Sequence, residues 1–247
     1  MAGHSKWAQI KRQKGAADAK RGQVFTKLAR EITVAARLGG GDPDANFRLR
    51  IAVQRARAEN MPNENIKRAI ERATSAAGGD SFEEIYYEGF GPGGAAVMIK
   101  ALTDNRNRTV GEVRAVITRA GGNLGESGSV GYLFDQLGVI TIDADGRDPD
   151  ELALLAIDAG AEDIKTEDGR VEVYTAPTAL KAVQDALAEQ GLKIEDASIT
   201  MQPKTTLALD HDDTLKAIRL LERLEDLDDV QEVYTNVEIS DEVMAQV

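Results

Sequence analysis

The spacing of apolar residues changes along the chain, from a helical period before about residue 79 to strand patterns separated by helices after it. Apolar residues from Val24 to Ala35 follow one another at three- and four-residue intervals, and the glycine run at 39–41 ends this pattern. Two further helices are predicted, one at about Pro43–Glu59 and one from about Pro62 to Gly78. The chain is therefore expected to begin with a small three-helix domain over residues 1–78.

The remaining residues alternate between strand and helix patterns in a definite order. Residues 79–136 read as β-β-α-β, with strands at Phe82–Glu88 and Ala95–Thr103, a helix at about Thr109–Ala120 and a strand at Val130–Phe134. Residues 137–204 read as β-α-β-β-α-β, which is the element order of a ferredoxin-like sandwich. The closing segment adds a strand at Thr206–Leu209, a helix at Thr214–Leu227 and a strand at Val230–Val237.

The β-β-α-β segment has too few helices to cover its own sheet, whereas the helix at Thr214–Leu227 has an apolar face that needs a partner. We therefore predict an α+β fold of three domains, in which a basic three-helix domain precedes two α/β-sandwich (ferredoxin-like) domains, one inserted in the other. The predicted bounds are 1–78, 79–136 with 205–247, and 137–204 for the inserted domain. Three sequential domains with a loose C-terminal tail are the alternative.

Charge is divided unevenly between the two ends of the chain. Residues 1–76 contain sixteen Lys and Arg against seven Asp and Glu, whereas residues 77–247 contain fourteen against thirty-five. The net charge of −12 is therefore the sum of a basic head and a strongly acidic body. Such an asymmetry is typical of a protein that contacts a polyanion at one end, while the acidic body repels the same polyanion and orients the approach.

Residue types argue against an enzyme. The absence of cysteine removes disulfides, thiolate catalysis and cysteine-ligated zinc, and the two histidines, His4 and His211, stand far apart. The spacing G-x-G-x-x-G at Gly89–Gly94 precedes a strand pattern, which favours a hairpin turn over a dinucleotide site. The acidic residues between Glu225 and Asp229 lack calcium-loop spacing and predict a solvated face. We predict no catalysis, no cofactor and no metal; a nuclease using these acids is the rival hypothesis.

The N-terminal sequence also bears on the compartment of the protein. Its first twenty residues are basic and polar, without the apolar core of a signal peptide. The longest apolar runs fall far short of the ~18 residues that span a membrane. A soluble cytoplasmic protein with no membrane partner is therefore expected.

Two groups of basic residues are candidate nucleic-acid contacts. The first group comprises His4, Ser5, Lys6, Trp7, Lys11, Arg12, Lys14, Lys20, Arg21 and Lys27. Its lysines and arginines can neutralise phosphates, Ser5 can hydrogen-bond a phosphate, and Trp7 can stack on an unpaired base. The structural alternative is a frayed basic tail with Trp7 packed in the helical core.

The second group is Arg106 and Arg108, where a predicted strand ends and a helix begins. Two arginines beside a helix N-terminus make a plausible anion site. The alternative is structural, with Asn107 capping the helix and Arg106 paired with the acidic body. The sequence does not decide between these interpretations.

Several motifs together resemble the YebC/PmpR family, which includes the mitochondrial translational activator of cytochrome c oxidase. The matching segments are Met1–Trp7, Asp18–Gly22, Phe25–Leu28, Gly39–Pro43, Asn60–Pro62, Tyr87–Gly94, Leu102–Thr109 and Gly121–Gly125. They span residues 1–136 densely. Departures from the family pattern are small: Phe47 stands where many relatives have proline, and Lys14-Gly15 replaces a basic-alanine pair.

The resemblance implies a non-enzymatic regulator of gene expression. Members have been described as DNA-binding transcriptional regulators and as ribosome-associated factors that assist translation through proline-rich stretches. No predicted helix shows base-reading Asn, Gln or Arg at major-groove spacing, which favours structured RNA such as ribosomal RNA or tRNA. We expect a translation factor that binds the ribosome, with a transcriptional regulator binding promoter DNA as the alternative, and a monomer.

Overall fold

The computed structural model describes residues 18–75, 81–144, 146–167, 169–240 and 243, with the backbone alone described at 18–21 and 167. The helices in this part of the chain are α1 (Asp18–Gly39), α2 (Phe47–Ala58), α3 (Asn63–Thr74), α4 (Arg106–Arg119), α5 (Pro149–Asp158), α6 (Leu180–Glu189) and α7 (His211–Glu225). The strands are β1 (Glu83–Phe90), β2 (Ala96–Thr103), β3 (Asn123–Leu124), β4 (Phe134–Asp143), β5 (Asp163–Glu167), β6 (Arg170–Thr175), β7 (Ile194–Pro203) and β8 (Val230–Thr235). The chain forms two compact units, one from residues up to 134 and from 203 onward, and one from residues 135–202.

Helices α1, α2 and α3 pack around one apolar core, in which Ile32, Leu49 and Ile66 are buried. Helix α2 begins at Phe47, so the predicted start near Pro43 was wrong. Asn46 causes the later start, because its buried side chain accepts a hydrogen bond from the Leu49 amide at 3.1 Å and donates to the Ala35 carbonyl at 2.7 Å. This N-cap fixes the end of α1 and the start of α2 together.

The first sheet has the strand order β3-β1-β2-β8. Strand β8 comes from the closing segment of the chain and pairs antiparallel with β2, with Val97 opposite Thr235 and Ile99 opposite Val233. Helices α4 and α7 cover one face of this sheet, where Ile99 and Val233 are buried with residues of both helices. The closing segment thus supplies the helix and the strand that complete this sandwich.

The three-helix domain packs against the opposite face of the same sheet. Side chains alternate between the two faces of a strand, so Lys100 follows Ile99 toward the helices and its amino group lies 3.8 Å from Glu84. Arg55 of α2 forms an ion pair with Glu232 at 3.2 Å, and Arg48 contacts Glu84 as well. Burial alone would lower the pKa of Lys100, but the surrounding carboxylates outweigh it and raise the pKa. The interface between the three-helix domain and the first sheet is therefore polar, and its charged side chains form ion pairs.

The second unit has the strand order β5-β6-β4-β7 with α5 and α6 as its helices. This order and the chain order β-α-β-β-α-β are those of a ferredoxin-like sandwich. Its apolar core includes Ile140, Ile142, Leu152, Val173 and Leu187, all with no exposed surface. The predicted fold class, α+β with one sandwich inserted in another, is confirmed.

Two predicted strands of the first unit are not formed as expected. Residues Gly131–Leu133 make a single 3-10 turn in place of most of the predicted strand Val130–Phe134, and β4 begins at Phe134. The Glu88 carboxylate causes this, because it accepts hydrogen bonds from the amides of Gly128, Val130 and Gly131 at 2.6–2.8 Å. The predicted strand at 206–209 is reduced to an isolated β-bridge between Leu207 and Val237.

Deleting residues 135–202 and joining the ends with a short Gly/Ser linker should leave a cooperatively folded protein. The ends to be joined are already adjacent, since the Lys204 amide donates to the Leu133 carbonyl at 2.9 Å. Thermal unfolding followed by circular dichroism and calorimetry would measure this, because two-state behaviour gives equal calorimetric and van't Hoff enthalpies. A broad, non-cooperative transition would show that the first unit depends on the inserted residues.

Candidate nucleic-acid interface

The predicted N-terminal contacts fall largely outside the described residues. His4, Ser5, Lys6, Trp7, Lys11, Arg12 and Lys14 precede the described part of the chain. Lys20 and Arg21 lie in the first turns of α1, where the backbone alone is described. Of this group, Lys27 is the one whose side chain can be placed: its amino group donates to the Glu225 carbonyl.

Helix α1 binds the acidic loop between α7 and β8 through its polar side chains. Gln23 donates to the Asp226 carbonyl at 3.3 Å, Lys27 to that of Glu225, and Arg30 to that of Asp228. These carbonyls lie at the C-terminal end of α7, where the helix dipole favours a cation. The prediction that this acidic stretch is a solvated face holds for Asp226 and Asp228, which are exposed, but was wrong for Asp229, which is buried.

Asp229 is the centre of a buried polar cluster that joins α1 to the sheet. Its carboxylate accepts hydrogen bonds from Thr109 at 2.6 Å, Arg108 at 2.7 Å, Arg30 at 3.0 Å and Thr103 at 3.1 Å. Burial alone would raise the pKa of Asp229, but the hydrogen bonds from Thr109, Arg108 and Thr103 outweigh it and lower the pKa. The cluster therefore holds an ionised carboxylate inside the protein.

The second predicted group, at the start of α4, is engaged with acids of the same chain. Arg108 contacts both Asp229 and Asp104 at 2.7 Å, and these hydrogen bonds raise its pKa. Arg106 pairs with Glu83 at 2.7 Å while its side chain stays 68% exposed. Asn105, and not Asn107 as the structural alternative supposed, caps α4 by accepting from the Arg108 amide. The structure thus brings Arg106 and Arg108 to one end of α4, each with an acidic partner.

Eight other cations of the three-helix domain divide into two sets. The inward set lies toward the sheet or the chain's own loops and consists of Arg30, Arg48, Arg50 and Arg55. The outward set is exposed and consists of Arg57, Lys67, Arg68 and Arg72. The outward set was not among the contacts predicted from the sequence, although the spacing of Lys67, Arg68 and Arg72 opposite the apolar stripe of α3 was a usable signal.

Helix α3 presents three residues of the outward set, Lys67, Arg68 and Arg72, to solvent. Arg68 and Arg72 stand one turn apart, and in the described part of the chain neither has an acid within ion-pair distance. Lys67 pairs with Glu71 at 3.8 Å, a loose contact between two exposed side chains. Arg57, at the end of α2, donates to the Asn63 side chain at 3.4 Å and has no acidic partner among the described residues. This face can bind an anion without first breaking a buried ion pair.

The glycine motif is a hairpin turn, as predicted. Strands β1 and β2 pair antiparallel on either side of it, and the Gly91 amide donates to the Ala95 carbonyl at 2.8 Å. Gly93 has a φ of +65°, and a Cβ atom there would lie 2.5 Å from the Leu209 side chain. Both the backbone conformation and the packing therefore require glycine at this position.

Two further properties of the described residues concern metal binding and membrane insertion. Within the described ranges, no three His, Cys, Asp or Glu side chains come together in a way that could hold a metal ion. None of the helices in this part of the chain is long and apolar enough to cross a membrane.

Comparison with known families gives two adjoining matches. A sequence profile described as "TACO1/YebC protein N-terminal domain" matches residues 5–76. A second profile, described as "TACO1/YebC second and third domain", matches residues 82–237. Together the two profiles cover both the three-helix domain and most of the residues that follow it.

Individual proteins match over nearly the whole chain. A probable transcriptional regulatory protein of Herpetosiphon aurantiacus is 56% identical over 244 residues, covering 98% of this chain and 97% of that protein. A protein of the same description from Chloroflexus aurantiacus is 55% identical, covering 100% of this chain and 99% of that one. The crystal structure of a conserved hypothetical protein from Aquifex aeolicus superposes with a TM-score of 0.84 at 49% identity, covering 91% of this chain and 93% of that chain.

Proposed function

The chain belongs to the TACO1/YebC family, and we propose that it is a nucleic-acid-binding regulator of gene expression that catalyses no reaction. The relatives named above carry the description of probable transcriptional regulatory proteins, which supports a regulatory role. One acid of the stretch in which a nuclease site was considered supports the absence of catalysis, because the Asp229 carboxylate is bound by Arg30 and Arg108.

One observation carries the nucleic-acid part of the proposal: the cations of the three-helix domain are sorted by direction. Those facing the sheet have acidic partners, whereas Arg57, Arg68 and Arg72 are exposed without one in the described part of the chain. Exposed arginines bind phosphates through planar, bidentate hydrogen bonds and release counterions. Residues 4–21, which adjoin this domain, add six further Lys and Arg against one Asp.

The target we favour is structured RNA, with the ribosome as partner and assistance to proline-rich synthesis as the outcome. The family resemblance implies this role. The outward set supports it, because its exposed arginines and lysine are phosphate-binding side chains. RNA helices are recognised mostly through shape, phosphates and 2′-hydroxyls, for which such a surface suffices.

The alternative target is promoter DNA. The printed description of the relatives as transcriptional regulatory proteins favours it. Phosphate contacts alone position a protein on DNA without specifying sequence. A DNA-binding regulator would therefore need contacts to base edges in addition to contacts with phosphates.

Crosslinking in living cells, followed by sequencing of the bound nucleic acid, tests the proposal. We expect ribosomal RNA or tRNA to dominate the recovered fragments, and a variant carrying Arg68→Glu and Arg72→Glu to recover far less. A matched variant with Lys181→Glu and Lys193→Glu, in the second unit, controls for the change in net charge. Enrichment of a few promoter sites without ribosomal RNA would favour the DNA alternative, and recovery equal to an uncrosslinked sample would refute both.

A further inference from the structure

Four arginines of the first sandwich lie on the outer surface of its helix layer. Arg114 and Arg119 are on α4 and Arg219 and Arg223 on α7, and all four are exposed. In the described part of the chain none of the four has an acid within ion-pair distance. This contrasts with Arg106 and Arg108 at the start of α4, which are paired.

The two arginines on α7 repel each other. Arg219 and Arg223 are four residues apart on its exposed side, and like charges at this spacing repel each other and destabilise a helix. Helix α4 likewise carries four arginines against one glutamate. These charges stand in a segment that is otherwise acidic, since residues 77–247 have 35 Asp and Glu against 14 Lys and Arg. An external anion would relieve the repulsion.

This surface lies on the opposite side of the first sheet from the three-helix domain. Ile99 and Val233 point into the core shared with α4 and α7. Their neighbours Lys100 and Glu232 point the other way, where Arg55 of α2 pairs with Glu232. The sheet therefore separates two exposed arginine pairs, Arg68 with Arg72 on one side and Arg219 with Arg223 on the other.

We propose that the outer surface of α4 and α7 is a second phosphate-binding face, and that the protein bridges two segments of structured RNA. This inference rests on the proposed function. Arginine suits both faces, since its guanidinium binds phosphate oxygens bidentately. Two faces on opposite sides of a sheet cannot both contact one short, straight duplex. They fit a folded RNA, which places separate helices on both sides of a bound protein.

Energy transfer between two short RNA duplexes, one labelled with a donor and one with an acceptor, tests the bridge. The full-length protein should bring the duplexes together at low protein-to-RNA ratios and separate them again when protein is in excess. The variant with Arg219→Gln and Arg223→Gln should still bind one duplex but lose the energy transfer. The matched variant with Arg68→Gln and Arg72→Gln should lower the slope of log K against log salt by about two units for the duplex that binds at the outward set.

Each outcome separates the bridge from the proposed function. Unchanged energy transfer in the Arg219→Gln, Arg223→Gln variant overturns the second face. The two duplexes would then be held by two associated copies of the protein, each binding one duplex through the outward set. Binding of one duplex by the parent protein without any transfer also overturns it, while leaving the proposed function intact. Failure to bind any duplex refutes the proposed function itself. Equal transfer between DNA duplexes would keep the second face and overturn its assignment to RNA.

Discussion

Replacing Asp229 with alanine is expected to lower the free energy of unfolding by about 3–5 kcal/mol, the range for removing one partner of a buried ion pair. The Asp229 carboxylate is 2% exposed and binds Arg30, Arg108, Thr103 and Thr109. Its loss leaves these donors without their acceptor and removes the ion pair between Arg30 of α1 and the loop that precedes β8. Chemical denaturation at neutral pH would measure the change.

The control for this substitution is Asp104→Ala, which removes an exposed carboxylate from the same Arg108 side chain. Asp104 and Asp229 lie at the same 2.7 Å from Arg108, but the Asp104 side chain is 43% exposed. A solvent-exposed pair contributes about 0.2–1 kcal/mol, so the control should unfold close to the parent. Equal losses in the two variants would contradict the assignment of Asp229 as the joint between α1 and the sheet.

The contribution of Asp229 should also depend on pH in a defined direction. Its pKa is lower in the folded protein than the ordinary aspartate value of about 3.9. The stabilisation is therefore complete above that ordinary value and is lost as pH falls through the folded pKa. The difference in unfolding free energy between parent and Asp229→Asn should shrink as solutions are acidified below about pH 4. A difference that stays constant to lower pH would contradict this.

Reversing Lys11, Arg12 and Lys14 to glutamate is expected to weaken binding to RNA on the order of a thousandfold at physiological salt. If these side chains contact phosphates, the slope of log K against log salt should also fall by about three units, one for each lost contact. Filter binding across a range of salt concentrations would measure both quantities. Thermal stability should change little, because surface substitutions typically cost within about 0.5 kcal/mol.

A control variant with Arg147→Glu, Lys181→Glu and Lys193→Glu in the second unit makes the same change in net charge. It should bind nearly as well as the parent if the contacts are local. Unchanged binding by the N-terminal variant would refute the N-terminal interface. Equal weakening in both variants would show that net charge, and not a local contact, governs the affinity.

The sequence by itself was enough to predict the classes and order of most elements. Helical spacing from Val24 to Ala35, the ferredoxin-like order of 137–204 and the apolar face of the helix now called α7 are local patterns. Such patterns can be recognised without knowing which distant residues they contact in the folded protein. The same holds for the glycine hairpin and for the basic head on an acidic body. The family resemblance rests on local motifs as well.

Tertiary structure decided the boundaries that depend on distant partners. Asn46 sets the start of α2 by reaching the carbonyl of Ala35, and Glu88 holds residues 128–131 out of a strand by binding their amides. Each effect comes from a single side chain whose partner is 11 to 43 positions away. A hydrophobic period does not report such contacts.

The availability of individual cations for a ligand was likewise decided by the fold. Lys27, Arg108 and Arg68 are all basic residues on helices, and the sequence does not distinguish them. Folding places Lys27 against a carbonyl 198 positions away and Arg108 against a carboxylate 121 positions away, while Arg68 stays exposed. Charge composition determined that the protein has a basic end. An ion pair forms only between groups a few ångströms apart, so the tertiary structure determined which of those charges face outward.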